Sequence, residues 1–258
     1  MSRALSVPPR DVRIWERRIF PVLRAALAAG YFELDVIAAD RVPSSGPVVF
    51  VGNHSGWFAL DALIFNLALH DSVGPDRVTY AIVQDALLRW PGVRRLVAPL
   101  GVIPASLLRR PERLPQEVDT FGIFPEGVAG ICKPFWQAYQ MRQWRSGFLR
   151  LALARRARIV PCALVGGEEC LPTLGGIHGL ERWLGAPLPV PLCWAPLPTR
   201  WKIVFGDPIE LDGVADDPGA AHPSRGWYRE RAEAIRQVVQ ELLDRHTLER
   251  PLRRFGSP

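Results

Sequence analysis

The sequence predicts an α/β protein in which a mixed, largely parallel β-sheet is covered by helices. Short apolar segments alternate with helical patterns, which is typical of a sheet buried on both faces. Hydrophobic residues make up 48% of the 258 residues, which is enough for a sizeable core. We interpret residues 1–32 as an amphipathic helix, 33–215 as the α/β core and 216–258 as a helical segment packed on that core.

The first element is an amphipathic helix with two possible partners. Its apolar residues recur at helical spacing, and they are Val12, Trp15, Ile19, Val22, Leu23, Ala26 and Leu27. The helix can pack on the core, or it can lie in a membrane interface as an interfacial helix. In the second case Trp15, Ile19, Phe20 and Leu23 enter the bilayer surface, and the neighbouring arginines meet anionic headgroups.

The apolar stretch in this helix is interrupted by Arg24 and falls short of the roughly 20 residues that a membrane span requires. The N-terminus also lacks the apolar segment and cleavage site of a signal peptide. We therefore expect no transmembrane helix and a peripheral location on the cytoplasmic side of the membrane.

The later elements follow from apolar runs and the turn residues between them. A Pro-Ser-Ser-Gly-Pro turn at 43–47 separates the first two strands, and Gly206-Asp207-Pro208 stops the last. Strands are predicted at 32–37, 47–51, 78–83, 100–103, 120–124, 158–165 and 200–205. Helices are predicted from 61 to about 69, from 85 to 90, from 145 to 156 and from 226 to 246.

Two predicted strands end in polar loops. His54 follows the strand at 47–51, and Pro125-Glu126-Gly127 follows the strand at 120–124. Ligands of such sheets bind at the carboxyl ends of the strands. The two loops are therefore expected to share one crevice.

The histidine suggests acid–base chemistry. A histidine can take a proton from a hydroxyl at neutral pH, and it works best when a carboxylate such as that of Asp61 holds its other ring nitrogen. Ser55 is badly placed for a triad, and no G-x-S-x-G motif is present. A dyad without a nucleophile indicates direct attack by a substrate hydroxyl or amine on an activated acyl group. The alternative is a loop histidine beside a helix-capping aspartate.

Charge and cysteines limit the partners. Lys and Arg number 32 and Asp and Glu 26, a net charge of +6 that suits nucleic acid, anionic lipid or acidic ligands. No nucleic-acid-binding motif is present, so we expect no nucleic-acid partner. The cysteines, Cys132, Cys162, Cys170 and Cys193, lack metal-ligand spacing and are expected to be reduced. His178 and His222 have no ligand partners nearby in sequence, so no metal site is expected.

Four segments in order resemble the motifs of the PlsC-like lysophospholipid (glycerolipid) acyltransferases. The first is the Asn-His followed by Asp61, and the second is LGVIP at 100–104. The third is FPEGVAGICKPF at 124–135, and the fourth is IVPCALVGGEE at 159–169. FGDPIEL at 205–211 resembles the family's closing strand and turn. The resemblance covers roughly residues 32–211.

The resemblance implies transfer of a fatty acyl group from acyl-CoA or acyl carrier protein to a lipid hydroxyl, without a metal or redox cofactor. His54 is implied to be the general base, and Asp61 to orient it. Backbone N–H groups near Gly52, Gly56 or Gly127 are candidates for stabilising the oxyanion. The residues expected at the substrate site are Asn53, Ser55, Phe124, Pro125, Glu126, Gly127, Lys133 and Arg145.

The sequence departs from the family pattern in the spacing of the dyad. The usual His-x4-Asp spacing places the carboxylate at Ala59, whereas Asp61 lies two positions later. We align Asp61 with the catalytic carboxylate because the DALIF that it opens matches the family's helix. This alignment implies that the loop at 56–58 is lengthened by two residues. A non-catalytic lipid-binding relative remains the alternative.

The second departure concerns phosphate-binding arginines. Ala105, Val128 and Ala129 stand where family members that acylate glycerol phosphates carry arginines. We therefore expect a neutral glyceride or an unusual lipid acceptor in place of lysophosphatidate, or a relocated cationic grip. Candidates for that grip are Arg109, Arg110, Lys133, Arg142 and Arg145. The alternative is that these residues belong to a plain surface loop and helix without a binding role.

Overall fold

The structure is a computed structural model that describes residues 7, 10–56, 59–179, 181, 186–211 and 223–248. Its strands in chain order are β1 (Phe32–Ile37), β2 (Val48–Gly52), β3 (Tyr80–Val83), β4 (Val102–Pro104), β5 (Thr120–Ile123), β6 (Arg158–Val165), β7 (Thr173–Ile177), β8 (Leu188–Pro191) and β9 (Thr199–Phe205).

Seven strands form the main sheet in the order β1-β9-β6-β2-β5-β3-β4, and β7 and β8 form a separate antiparallel hairpin. Neighbouring strands of the main sheet run parallel except β6 and β9. This architecture confirms the predicted mixed, largely parallel α/β fold.

Helices cover both faces of the sheet. Helix α1 spans residues 12–28 in three consecutive pieces, Val12–Ile14, a π-helical Trp15–Ile19 and Phe20–Ala28. The others are α2 (Leu60–Ser72), α3 (Asp85–Leu88), α4 (Pro91–Val97), α5 (Val128–Ile131), α6 (Gly147–Arg155), α7 (Gly167–Cys170) and α8 (Arg225–Leu248). Short 3₁₀ turns, one of them at Phe135–Gln137, join several of these elements.

Strand β2 divides the core into two layers, because successive side chains of a strand point to opposite faces. Val49 and Val51 belong to the cluster that contains buried residues of α6 and α8. Val48 and Phe50 belong to the cluster that contains buried residues of α1 and α2. All five residues of β2 are buried, so the strand fixes its carboxyl end firmly in the middle of the sheet.

Helix α1 packs on the core. Trp15, Phe20 and Leu23 are 3%, 0% and 6% exposed and lie in the same cluster as Phe32 and Trp201. The prediction that Trp15, Ile19, Phe20 and Leu23 enter a membrane interface is wrong, because the sheet face around Trp201 takes up the apolar stripe instead, and the half-buried Ile19 packs against the same cluster. None of the helices in the described part of the chain combines the length and apolarity needed to cross a bilayer.

Helix α8 is the last element among the described residues, and its buried face packs with β6 in one core cluster. The remainder of the predicted C-terminal segment, 216–222 and 249–258, lies outside the described residues. The hairpin β7–β8 was not predicted. Its sequence, with glycines at 175 and 176 and prolines at 189 and 191, has the composition of a loop.

Candidate active site

The site begins where β2 ends. Asn53 is fully buried, and its side-chain amide donates to the carbonyl oxygen of Leu164 at 2.9 Å while its Oδ1 accepts the Leu164 N–H at 2.8 Å. The side chain thus pairs with β6 as a further strand residue would. Asn53 was predicted to bind substrate, and that role stays a prediction; in the structure both polar atoms of its side chain are hydrogen-bonded to Leu164.

His54 and Asp61 form the hydrogen-bonded pair that the predicted dyad requires. The distance from His54 Nδ1 to Asp61 Oδ2 is 2.7 Å. The same Oδ2 accepts the Ser55 N–H at 2.8 Å, and Oδ1 accepts the Ala62 N–H at 2.8 Å. Asp61 is completely buried, and these three groups of the loop and helix fix its carboxylate in one orientation.

Helix α2 accommodates the longer His–Asp spacing. Ala59 precedes the helix in the left-handed conformation, with φ of 53°, and its carbonyl oxygen accepts the Leu63 N–H at 3.2 Å. Asp61 therefore lies in the first turn of α2 and points back toward His54. Residues 57 and 58, within the predicted lengthened loop, lie outside the described residues.

Two neighbours pack against His54, one on its ring and one on its Cβ atom. The rings of His54 and Phe124 stack with centroids 4.8 Å apart and planes inclined by 26°. On another side, a Cβ atom on Gly130 would lie 3.0 Å from the Cβ atoms of both His54 and Glu126, so α5 approaches because this residue is glycine. The His54 side chain keeps 18% of its surface exposed.

Glu126 connects the two loops of the site. Its Oε1 accepts the His54 backbone N–H at 3.3 Å, and its Oε2 accepts the Arg142 backbone N–H at 2.9 Å. Gly127 adopts a φ of 58°, which favours glycine, and its N–H donates to the Phe124 carbonyl oxygen at 2.9 Å. That N–H is occupied by the turn, which argues against the expectation that it stabilises an oxyanion.

Lys133 lies inside the protein, only 4% exposed. Its Nζ donates to Glu168 Oε1 at 2.7 Å and lies 3.4 Å from Glu126 Oε2. Burial works to lower the pKa of Lys133, but the two carboxylates outweigh burial and raise it. Burial raises the pKa of Glu168, and the Lys133 ammonium opposes that rise. We call Glu126, Lys133 and Glu168 the buried ion triad.

The segment 139–142 closes the site beside this triad. Glu168 Oε2 accepts the Tyr139 N–H at 2.9 Å. The side-chain amide of Gln240 on α8 accepts the Met141 N–H at 3.0 Å and donates to the Tyr139 carbonyl oxygen at 2.9 Å. No motif in the sequence indicated Gln240 or Tyr139, and the GGEE of the fourth segment is the single signal that could have indicated Glu168.

The other predicted residues occupy varied positions. Ser55 is buried, and its Oγ has no hydrogen-bond partner among the described residues. Pro125 is also buried, and its carbonyl oxygen accepts the backbone N–H of Arg145 at 3.1 Å. The side chain of Arg145 is exposed, as are those of Arg109, Arg110 and Arg142. Their roles at the substrate site stay predictions.

A small depression opens beside the His54 loop and is lined by Gly56, Gly130, Ile131, Lys133, Phe135, Glu168, Leu171 and Thr173. Near it, burial raises the pKa of the Cys132 thiol to about 11, so the thiol stays protonated at neutral pH and is a poor nucleophile. Within the described ranges, no three His, Cys, Asp or Glu residues are grouped closely enough to hold a metal ion.

Two curated proteins of mycobacteria resemble this chain over most of its length. An uncharacterized protein of Mycobacterium leprae is 32% identical over 229 residues, which cover 83% of this chain and 60% of that protein. An uncharacterized protein of Mycobacterium tuberculosis strain H37Rv is 29% identical over 239 residues, covering 87% and 64%. The chain thus spans less than two thirds of the length of these relatives.

A solved structure shares the fold. The crystal structure of the 1-acyl-sn-glycerophosphate (LPA) acyltransferase PlsC from Thermotoga maritima matches with a TM-score of 0.58 at 16% identity, covering 92% of this chain and 81% of that one. The acyltransferase family model matches residues 33–165, which include the His54–Asp61 pair and the Pro-Glu-Gly loop. Because this match covers more than half of the sequence, the chain belongs to the acyltransferase family.

Proposed function

We propose that the chain transfers a fatty acyl group from a thioester donor to a hydroxyl of a lipid acceptor, with His54 as the general base. The observation that carries this proposal is the 2.7 Å hydrogen bond between His54 Nδ1 and the buried carboxylate of Asp61. A carboxylate only accepts hydrogen bonds, so Nδ1 carries the hydrogen and Nε2 is left as the basic nitrogen. Among the described residues, none forms a hydrogen bond to Nε2.

The reaction then needs no enzyme nucleophile. Nε2 of His54 takes the proton of the acceptor hydroxyl while its oxygen attacks the thioester carbonyl carbon. The tetrahedral intermediate expels the thiolate, which receives the same proton from the imidazolium, and the products are an ester and a free thiol. Asp61 stabilises the imidazolium, and the stacked ring of Phe124 keeps the imidazole from turning away.

We propose further that the donor is acyl-CoA or acyl carrier protein and that the acceptor lacks a phosphomonoester. The buried ion triad holds two carboxylates and one ammonium, so Lys133 is already neutralised. Small side chains stand at Ala105, Val128 and Ala129, where a guanidinium would be needed to bind phosphate in bidentate fashion. A neutral glyceride fits this set of charges better than lysophosphatidate.

The test of acyl transfer uses the purified chain with radiolabelled acyl-CoA or acyl carrier protein thioester and a pool of lipid acceptors. We expect His54→Ala to lower the rate about 10²–10⁴-fold, because that is what a general base contributes. His178→Ala removes a histidine whose side chain is exposed and serves as the matched control with an unchanged rate. Lipid binding without turnover by the unaltered chain would support a non-catalytic relative instead.

The acceptor class is tested by competition between monoacylglycerol and lysophosphatidate under one donor. We expect the larger kcat/KM for the neutral acceptor. Preference for lysophosphatidate, together with a raised KM for it in Arg145→Ala, would show that the cationic grip has moved to the exposed arginine and would contradict the neutral acceptor.

A further inference from the structure

The buried ion triad spans the end of the strand that leads to His54. Glu126 follows β5 and Glu168 follows β6, and in the order β6-β2-β5 these two strands flank β2. The three strands are parallel, so both carboxylates lie at the edge of the sheet where the His54 loop leaves β2. Lys133 joins the carboxylates, because its Nζ is 2.7 Å from Glu168 Oε1 and 3.4 Å from Glu126 Oε2. The triad therefore links the two loops on either side of the His54 loop.

Stability alone does not account for three charges in this position. The side chains of Lys133, Glu126 and Glu168 are 1%, 0% and 7% exposed. Taking charges out of water is costly, and replacing a whole buried ion pair or triad by well-packed apolar residues is often neutral or stabilising. A buried triad is thus weak evidence of a stabilising role, and its remaining contacts have to indicate what it does.

One end of the triad contacts His54 directly. Glu126 Oε1 accepts the backbone N–H of His54 at 3.3 Å. Its Oε2 faces Lys133 and accepts the Arg142 N–H at 2.9 Å. A Cβ atom on Gly130 would lie 3.0 Å from both the Cβ atom and the carbonyl oxygen of His54. The backbone of His54 is therefore held by a carboxylate at its N–H and by α5 at its Cβ atom and carbonyl oxygen.

The other end of the triad is anchored through Tyr139. Glu168 Oε2 accepts the Tyr139 N–H at 2.9 Å, and the Tyr139 hydroxyl accepts the Gly166 N–H at 2.8 Å. Tyr139 has a φ of 63°, in the left-handed region that residues other than glycine rarely occupy. Backbone strain of this kind persists where the surrounding contacts impose it, and it clusters at functional sites. Glu168 is therefore fixed both to the end of β6 and to the segment 139–142.

We propose that Lys133 and Glu168 are positioning residues for His54. Glu168 holds the Lys133 ammonium, and the ammonium holds Glu126 against the backbone of His54. The direction in which Nε2 meets the acceptor hydroxyl then depends on a lysine that does not touch the substrate. This inference rests on the proposed role of His54 as general base, and it gives Lys133 a role different from the cationic grip that the sequence suggested.

The test compares acyl transfer by Lys133→Met and by the unaltered chain at a temperature where circular dichroism shows both to be folded. We expect kcat to fall about 10²-fold, because a misplacement of about 1 Å at a reacting group can cost that much. KM should change less than about twofold, since substrate binding is not altered.

Arg155→Met is the matched control for loss of stability. The Arg155 side chain donates to the carbonyl oxygens of Leu114 and Pro115 at 2.6 and 2.7 Å, in the segment that leads into β5. Arg155 itself lies just before the amino end of β6, so it is at the edge of the sheet opposite to the site. We expect this variant to have a lower Tm and an unchanged kcat.

A double-mutant cycle separates positioning from stability. In Glu126→Ala, Lys133 has no carboxylate through which to act on His54, so adding Lys133→Met should change kcat less than about twofold. The Lys133–Glu168 pair is still broken in this background, so Tm should still fall. Lys133→Met/Glu168→Gln removes both charges of that pair and keeps an acceptor for the Tyr139 N–H. This variant is expected to recover stability relative to Lys133→Met, but not kcat.

An unchanged kcat in Lys133→Met overturns the proposal, as does an equal further loss of kcat in the Glu126→Ala background. A raised KM with unchanged kcat assigns Lys133 to acceptor binding and also overturns it. If the unaltered chain transfers no acyl group, the proposed function fails, and the Nδ1–H proton resonance of His54, assigned by its loss in His54→Ala, decides the positioning alone. We expect Lys133→Met to speed the exchange of this proton with water about tenfold, and an unchanged exchange rate contradicts the inference.

Discussion

Replacing Lys133 with Met tests the buried ion triad. The ammonium lies between Glu168 at 2.7 Å and Glu126 at 3.4 Å, and methionine keeps much of the side-chain volume without the charge. Two buried carboxylates then lack a counter-charge, and breaking a buried ion pair from one side typically costs about 3–5 kcal/mol. Since domains of this size lose about 2–4 °C of Tm per kcal/mol, we expect a Tm lower by about 6–20 °C.

The loss should depend on pH in a defined direction. Burial already raises the pKa of Glu168 above 4.5, and removing Lys133 takes away the charge that opposes the rise. A carboxyl whose pKa is raised in the folded state contributes stability that is fully present below its ordinary pKa of 4.5. This stability is lost as the pH rises through the pKa of the folded state. The deficit of Lys133→Met is therefore expected to shrink between about pH 8 and pH 5.

Urea unfolding at these two pH values measures both effects. Arg145→Met removes an exposed cation near the same loop and is the matched control, with a change within about 0.5 kcal/mol. A Lys133→Met protein as stable as the original, with a raised KM for an anionic acceptor, would refute the reasoning. It would show that Lys133 grips the acceptor, as the sequence alone suggested.

Two further predictions concern the dyad. Asp61→Asn should lower kcat up to about 10⁴-fold, because the amide nitrogen must face at least one of the donors His54 Nδ1–H, Ser55 N–H or Ala62 N–H. Single-turnover kinetics measure this, and a loss below tenfold would argue against an orienting carboxylate. Gly130→Ala should lower kcat with little change in KM, since the new methyl lies 3.0 Å from His54 Cβ. Unchanged kinetics would show that α5 yields without moving the ring.

The His54–Asp61 pair could be anticipated from sequence because strand, loop and helix follow one another directly. A fully apolar run located β2 and the Asp61 that opens the following helix located α2, each within about one to three residues at its ends. Seven positions separate the two side chains. Local rules suffice when partners are close in sequence. The proposed catalytic role stays a prediction, but the sequence pattern was sufficient to predict that the two side chains lie close together.

The buried ion triad could not be anticipated in the same way. Lys133 and Glu168 are 35 residues apart on different elements, and a lysine in a loop with aromatic neighbours has the composition of a surface grip. Likewise, an amphipathic stripe at Trp15 and Phe20 is the same pattern whether a bilayer or a sheet covers it. Only the packing of Trp201 and Phe32 against α1 distinguishes the two.

The paired hydrogen bonds of Gln240 imply an order of assembly during synthesis. They join α8 to Tyr139 and Met141 across 101 and 99 residues, whereas the His54–Asp61 contact spans seven. Closing so long a loop carries a larger entropic cost and is slow relative to local contacts. In a chain still emerging from the ribosome, the segment 139–142 can therefore be fixed in place only after residue 240 has appeared, later than the local His54–Asp61 contact can form.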